Sequence, residues 1–200
     1  AGRFQGRSAI VICQKGQKLS HGVAAWLRHE GVPSDVLECG FQAWARAELP
    51  AVPTARMPNR DPQGRTVWVT RSRPKIDRIA CPWLIRRFVD PAAVFLFVTP
   101  SEVQAVGERF NAAPFDIEDV FWSHRDGLCT FDIMVEEFGL RTEALLRLGT
   151  IVRGADTANL ALAPESAGLL AASLGLSRMY TDDLAQLEAG QDVEPPECHN

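Results

Sequence analysis

The first fifty residues alternate short apolar runs with a polar loop and one amphipathic segment. Residues 9–12 predict a strand, residues 20–30 predict a helix that Gly31 ends, and residues 36–38 predict a second strand. We expect four apolar residues at helical spacing to pack this helix against the sheet: Val23, Ala24, Trp26 and Leu27. The order strand, helix, strand is typical of a parallel α/β unit.

The chain from residue 66 onward combines two strand patterns with several helical ones. Residues 66–70 alternate as a strand, and residues 94–98 form a continuous apolar run, which predicts a strand buried on both faces. Residues 99–102 have capping-box spacing, so a helix is expected over 100–110. Further helices are predicted over four ranges: 131–138, 143–153, 165–174 and 182–189. The predicted fold class is therefore an α/β segment followed by a mainly helical α+β domain.

Prolines at positions 50, 53, 58 and 62 separate these two patterns. Few backbone hydrogen bonds can form there, so we interpret the stretch as a linker. The predicted organisation has four parts: an α/β segment over 1–50, a linker over 51–65, the second domain over 66–190 and a tail over 191–200.

Charge and cysteine usage narrow the classes of function. A net charge of −4 argues against non-specific nucleic-acid binding, which needs a strongly basic surface. No apolar run is long enough to span a bilayer and no signal-peptide pattern begins the chain, so we expect a cytoplasmic protein without a membrane partner. We allow for a homodimer. The five scattered cysteines contain no C-x-x-C pair, which argues against a disulfide scaffold or a zinc knuckle.

The first candidate site follows the first strand. Cys13 stands at the strand end, before a short loop and the start of a helix. Loop N–H groups and a helix N-terminus that converge there would bind an anion and lower the pKa of the thiol. A thiolate could then hold a persulfide or attack the central atom of an oxyanion. The alternative is a small core residue. The expected catalytic residues are Cys13, Lys15 and Lys18, with Gly16 and Gln17 binding the anion.

Three segments around this loop, residues 11–16, 22–28 and 40–44, resemble the second half of a rhodanese domain. The resemblance implies that Cys13 carries a persulfide and that the loop amides hold thiosulfate or a related oxyanion. It also places Cys39 where the family has the first glycine of a Gly-Gly-Phe turn, a position at which a positive φ is expected.

The second candidate site combines two segments. Residues 71–88 hold six cationic side chains in an otherwise acidic chain, on a helix that Pro82 either kinks or begins. Helical spacing puts Ile79, Trp83 and Phe88 on its buried side, and Asp77, Arg78 and Arg86 towards a cleft. The alternative is a solvated helix whose arginines pair with carboxylates. The expected anion-binding residues are Lys75, Arg78, Arg86 and Arg87.

The other segment places His124 and Cys129 between Asp116 and Asp132. Such residue types bind transition metals, here zinc or iron, although their spacing matches no standard zinc motif. The alternative is a hydrogen-bonded structural histidine. The candidate metal ligands in this segment are His124, Asp116 and Cys129. We expect Arg78, Arg86 or Arg87 to share one cleft with His124.

Those two segments, together with residues 151–156 and 164–169, resemble the C-terminal domain of ChrB-type chromate-resistance proteins over about residues 67–187. The resemblance implies a role in chromate resistance and a small oxyanion, chromate or sulfate, as ligand. It also implies that the site uses the residues named above, Asp77 among them, and it adds Asp156 as a further candidate metal ligand. Two rival roles remain, an oxyanion-sensing regulator without catalysis and a structural accessory domain.

Overall fold

A computed structural model describes residue 4 and residues 6–191, and the chain divides into two compact units, Ala1–Ala51 and Val52–Asn200. The first unit joins short parallel strands through a helix, and the second packs helices on a parallel sheet. The predicted α/β fold class is confirmed. No helix in the described part of the chain is both long and apolar enough to cross a bilayer.

The first unit pairs β1 (Ala9–Val11) in parallel with β2 (Ser34–Val36), and α1 (Lys18–His29) connects them. A short helix, α2 (Gly40–Arg46), follows. β2 starts two residues before the predicted strand, and α2 has no counterpart in the prediction. The aromatic and small residues of α2 follow a turn, where the sequence offered too few periods to indicate a helix.

The apolar side of α1 is narrower than predicted. Ala24 is fully buried and Leu27 half-buried, but Val23 is 44% and Trp26 65% exposed. The reason is the size of the partner sheet, because the two strands described in this unit have three residues each and cover only a strip of the helix.

The second unit has a three-stranded parallel sheet in the order β4-β3-β5, formed by β3 (Val67–Arg71), β4 (Val94–Val98) and β5 (Ala113–Pro114). The central strand β3 is buried from its first residue to its fourth. β4 is an edge strand in which Phe95 alone is buried and the other residues are half-buried. The expectation that this strand is buried on both faces is therefore wrong, because a continuous apolar run does not reveal which strand lies at the edge.

Six α-helices are described in this unit, and their positions agree with the predicted ones to within a few residues. They are α3 (Asp77–Leu84), α4 (Val103–Phe110), α5 (Thr130–Glu137), α6 (Glu143–Asp156), α7 (Ser166–Met179) and α8 (Asp183–Gln191). Pro82 lies inside α3, and a π-helical turn, Ile85–Val89, continues the helix. Phe88 falls in this turn and is 40% exposed, so the expectation that it is buried is wrong, whereas Ile79 and Trp83 are half-buried.

Trp68 on β3 centres the core. Its ring meets Phe115, Trp122 and Phe138 edge to face, and its indole N–H donates to the Thr66 hydroxyl at 3.0 Å. Such aromatic pairs add stability beyond their buried area. The cluster fixes the segments on both sides of residue 124 against the sheet.

Of residues 51–65, which we predicted as a linker, residues 52–65 group with the second unit and Ala51 with the first. Val52 packs against its core, and Arg56 pairs with Glu137 at 3.0 Å and lies over the Phe121 ring. The prolines limit regular secondary structure here to a single 3₁₀ turn, Thr54–Arg56, but they do not prevent side-chain contacts. The predicted tail, 191–200, lies outside the described residues apart from Gln191.

Candidate functional site

The Cys13 loop is built from neighbouring residues. The Cys13 thiol, which is half-buried, donates to the Ser20 hydroxyl at 3.3 Å, and that hydroxyl donates to the Gln17 carbonyl at 3.0 Å. The Ser20 hydroxyl, followed by the backbone N–H groups of Gln17, Lys15 and Gly16, lowers the pKa of Cys13 to about 7. Once the thiol has lost its proton, the Ser20 hydroxyl can donate to the sulfur instead of to the Gln17 carbonyl, and together with the backbone N–H groups it stabilises the negative charge. A large share of the thiol is therefore ionised near neutral pH.

A backbone-to-backbone contact supports this loop. Gly16 and Gly40 have φ values of 61° and 65°, and a Cβ placed on Gly40 would lie 2.3 Å from the Gly16 nitrogen. The Phe41 N–H donates to the Cys13 carbonyl at 3.0 Å. Cys39, just before this turn, has a φ of 55°, the positive value expected for its position. The two glycines therefore let the loop and the turn approach closely.

The surface beside Cys13 is a cleft lined by residues 13–19 and His21. Lys15 and Lys18 belong to this lining, and both are exposed. Neither forms an ion pair with the described part of the chain within 4.0 Å. The thiol, the loop amides and two lysines thus surround one solvent-open space.

The second cluster centres on the His124 ring. Its Nε2 atom lies 3.2 Å from Asp77 Oδ2, 3.2 Å from Asp156 Oδ2 and 3.3 Å from Asp116 Oδ1. Asp77 is the first residue of α3, Asp156 the last of α6, and Asp116 follows β5 by two residues. Three separate elements therefore bring one carboxylate each to the same nitrogen.

The start of α5 holds two of these carboxylates in place. The Thr130 N–H donates to Asp77 Oδ2 at 2.6 Å, and the Thr130 hydroxyl donates to Asp116 Oδ1 at 3.0 Å. Asp77 is fully buried, and its second oxygen, Oδ1, is buried without a hydrogen-bond partner in the described structure. Asp77 is therefore only partly satisfied by protein donors.

The backbone is strained next to this cluster. Ile76, immediately before Asp77, has a φ of 32°, and Asp116 has a φ of 52°. A positive φ is rare for a β-branched residue, so surrounding contacts must impose it. One such contact is the Ile76 N–H, which donates to the Ser173 hydroxyl at 3.2 Å.

Positive charge near the cluster concentrates on one carboxylate. Arg78 Nε lies 3.1 Å from Asp116 Oδ2, in a close ion pair without the alignment of a hydrogen bond, and Arg71 lies 3.6 Å from the same oxygen. Among described residues, no lysine or arginine comes within 4.0 Å of Asp77 or Asp156. Asp116 is therefore paired by arginine, whereas the imidazole is the only cationic partner within 4.0 Å of the other two carboxylates among the described residues.

The ionisation of the cluster follows from this arrangement. Hydrogen bonds to Asp116, then to Asp156 and Asp77, raise the pKa of His124 to about 12. Burial raises the pKa of Asp77 to about 6. Burial alone would raise the pKa of Asp116 too, but His124 and Arg78 outweigh it and the pKa is lowered. The ring and the carboxylates thus favour each other's charged forms.

The predicted anion-binding residues separate in the structure. Arg78 joins His124, Asp116 and Asp156 in one cluster, whereas Arg86 turns to α8, where it pairs with Glu188 at 2.7 Å. Lys75 and Arg87 are exposed. The cationic segment therefore has two structural roles: Arg78 neutralises Asp116, and Arg86 holds α8 in place through its ion pair with Glu188.

In the described structure, His124 could hold a metal ion together with Asp77 and Asp156, because each of the three residues offers one ligand atom within 4.8 Å of the others. Cys129 does not belong to this group. Cys129 precedes α5 and is buried, and burial raises the pKa of its thiol. Asp77 takes the place that the sequence assigned to Cys129. The sequence feature that could have indicated this role of Asp77 is that it is the one acidic residue in residues 71–88, where all other charged residues are positive.

The His124 cluster opens to a cleft lined by Arg71, residues 116–120 and Ser123. Nitrogen and carboxylate oxygen ligands suit a divalent cation. The three carboxylates face an equal number of cations, Arg71, Arg78 and the protonated His124, so the cluster carries no excess of positive charge that would bind a dianion.

The sequence of the second unit also matches that of known proteins. The family model described as "ChrB, C-terminal domain" matches residues 68–194, and the chain belongs to that family. It is similar to Protein ChrB of Cupriavidus metallidurans strain CH34, with 35% identity over 148 residues, which is 72% of this chain and 44% of the relative. The chain thus spans less than half the length of that relative. No solved structure matches it significantly.

Proposed function

We propose that this protein acts in chromate resistance by handling an oxyanion, and that Cys13 supplies the thiolate. Membership of the ChrB family supports the role in chromate resistance. The observation that carries the chemical part is the set of donors around the Cys13 sulfur, the Ser20 hydroxyl and three consecutive backbone N–H groups, which bring its pKa to about 7. The same donors suit the oxygens of a bound oxyanion.

The chemistry we propose is transfer of sulfane sulfur. The Cys13 thiolate attacks the outer sulfur of thiosulfate, the sulfur–sulfur bond breaks, and sulfite leaves with the electron pair. The product is a Cys13 persulfide, from which a second thiol takes the sulfur. Gly16 and Gln17 would bind the oxygens, and Lys15 and Lys18 would attract the anion. The resemblance of residues 11–44 to a rhodanese domain supports this assignment.

The decisive experiment compares Cys13→Ser with the parent protein in a thiosulfate-dependent sulfurtransferase assay, with mass spectrometry to detect the persulfide. We expect turnover and the persulfide to disappear in Cys13→Ser and to persist in the matched thiol control Cys198→Ser. Equal activity in Cys13→Ser and the parent would remove Cys13 from the mechanism.

The second candidate function is binding of an oxyanion without catalysis, as in a sensor. Its support is the pair of exposed lysines in the Cys13 cleft, which would attract an anion whether or not the thiol reacts. Chromate or sulfate titrated into Cys13→Ser by calorimetry separates the two functions. Saturable binding without turnover in the parent would favour the sensor, and turnover that depends on Cys13 would favour the enzyme.

A further inference from the structure

We propose that the second unit contains a binding site for one divalent first-row transition metal ion, with His124 Nε2 and the carboxylates of Asp77 and Asp156 as ligands. Each residue offers one ligand atom, and the three atoms lie within 4.8 Å of one another. The site lies in the second unit and is chemically independent of Cys13.

The first argument concerns the number of hydrogens. An imidazole nitrogen carries at most one hydrogen, yet three carboxylate oxygens lie 3.2 to 3.3 Å from His124 Nε2. One N–H can point well at only one of them. A metal ion bound by that nitrogen and by two of the oxygens would interact favourably with all three atoms at once, which a single N–H cannot do.

The second argument is the unpaired oxygen of Asp77. This side chain is fully buried, Thr130 N–H satisfies Oδ2, and Oδ1 has no partner among the described residues. Buried carboxylates are normally paired or bound to a metal, because an unsatisfied charge in the interior is costly. An ion at this point would compensate the burial of Asp77.

The third argument is charge. Arg78 and Arg71 neutralise Asp116, so this carboxylate already has its counter-ions. Asp77 and Asp156 together carry two negative charges, and no arginine or lysine of the described chain lies within 4.0 Å of either. A dication would balance these two carboxylates and would take the place of the proton that His124 Nε2 otherwise carries, because a ligating imidazole is neutral.

The ligand types narrow the choice of metal. One imidazole and two carboxylates, with no thiolate, suit zinc, manganese or iron in the divalent state rather than a soft cation such as copper(I). The Thr130 N–H orients the Asp77 carboxylate, as outer-shell donors do at metal sites. His124 also lines the cleft next to Arg71, so a bound ion would keep coordination positions open towards solvent.

The experiment uses the full chain in a Cys13→Ser background, so that this thiol does not bind the added metal. The protein is dialysed against a chelator and titrated with Mn²⁺, and bound ion is measured by electron paramagnetic resonance and by elemental analysis after gel filtration. We expect one equivalent of Mn²⁺ per chain. Asp156→Asn and His124→Asn should each weaken binding at least about tenfold.

The matched control is Asp119→Asn, which changes a carboxylate that lines the same cleft but lies outside the cluster, and it should bind Mn²⁺ like the parent. Asp156 and His124 are chosen because they are partly exposed and more tolerant than buried Asp77. Circular dichroism of each variant checks its folding. The absence of saturable binding to the parent, or equal binding to the parent and folded Asp156→Asn, would overturn the proposal.

Discussion

The Cys13 loop and the His124 cluster are built in opposite ways. The loop spans eight consecutive positions, 13–20, and main-chain N–H groups and one hydroxyl do most of its work. The cluster draws Asp77, Asp116, His124 and Asp156 from distant parts of the second unit, and all its contacts but the one from the Thr130 N–H to Asp77 are between side chains. One site therefore depends on backbone conformation, and the other on charge balance inside a fold.

This difference predicts where each site is vulnerable. A charge-removing substitution should damage the cluster severely, because its carboxylates are buried and need partners. The loop should tolerate side-chain changes but not a glycine replacement that moves its backbone. The following substitutions test this contrast.

The largest effect is expected for Arg78→Met. Arg78 and Asp116 form a nearly buried ion pair, so removing this cation leaves the buried Asp116 carboxylate with only the half-exposed Arg71 and His124 as positive partners. We expect the free energy of unfolding of the second unit to fall by about 3 to 5 kcal/mol, measured by urea denaturation with a chelator present. The matched variant is Arg71→Met, which removes the half-exposed partner of the same oxygen and should cost at most about 1 kcal/mol. Equal losses would contradict the view that burial sets the strength of these pairs.

The next effect is expected for Gly40→Ala. Its φ of 65° disfavours alanine, and the added Cβ would overlap the Gly16 nitrogen and the Cys13 carbonyl oxygen. We expect a loss of at least about 1 to 3 kcal/mol in the first unit, seen by thermal denaturation, together with slower alkylation of Cys13.

The control for Gly40→Ala is Gly22→Ala, inside α1, where an added Cβ meets no atom within 4 Å. Alanine is the better helix former, so this variant should gain about 0.5 to 1 kcal/mol. A stable Gly40→Ala protein with normal thiol reactivity would show that the close backbone approach does not support the site.

The contrast also explains what the sequence could predict. A cysteine after an apolar strand, a glycine loop and a helix are local features, so residues 9–30 sufficed to predict the local geometry around Cys13. The sequence also predicted that Arg78 and His124 lie close together, since strand ends of a parallel sheet meet at one edge. It did not predict the central role of Asp77, because the burial of this residue depends on the fold around it. The direction of Arg86 depends on α8, more than a hundred residues away.

The smallest effect in the series concerns Ser20. Its hydroxyl is the largest contributor to the lowered pKa of Cys13, so Ser20→Ala should move that pKa back towards its ordinary value. In the parent, the rate of alkylation by iodoacetamide should rise with pH, reach half of its maximum at about pH 7 and level off once the thiol is fully ionised. In Ser20→Ala the rise should occur at higher pH, while the backbone donors retain part of the shift.

This rate is read from the modified Cys13 peptide by mass spectrometry, which separates it from the other cysteines. Buried Cys129 serves as an internal comparison and should react slowly in the folded protein at every pH tested. The same pH profile in Ser20→Ala and the parent would mean that the backbone alone sets the acidity of the thiol.

The edge strand β4 has a consequence for solubility. Five consecutive apolar residues with one unpaired edge in the described sheet are the kind of segment that recruits other chains into β-aggregates. Pro91 and Pro100 stand just outside it, and proline cannot extend a hydrogen-bonded ladder. The aggregation-prone segment is therefore too short to sustain pairing between molecules. Replacing either proline with valine should lower the concentration at which the heated protein precipitates.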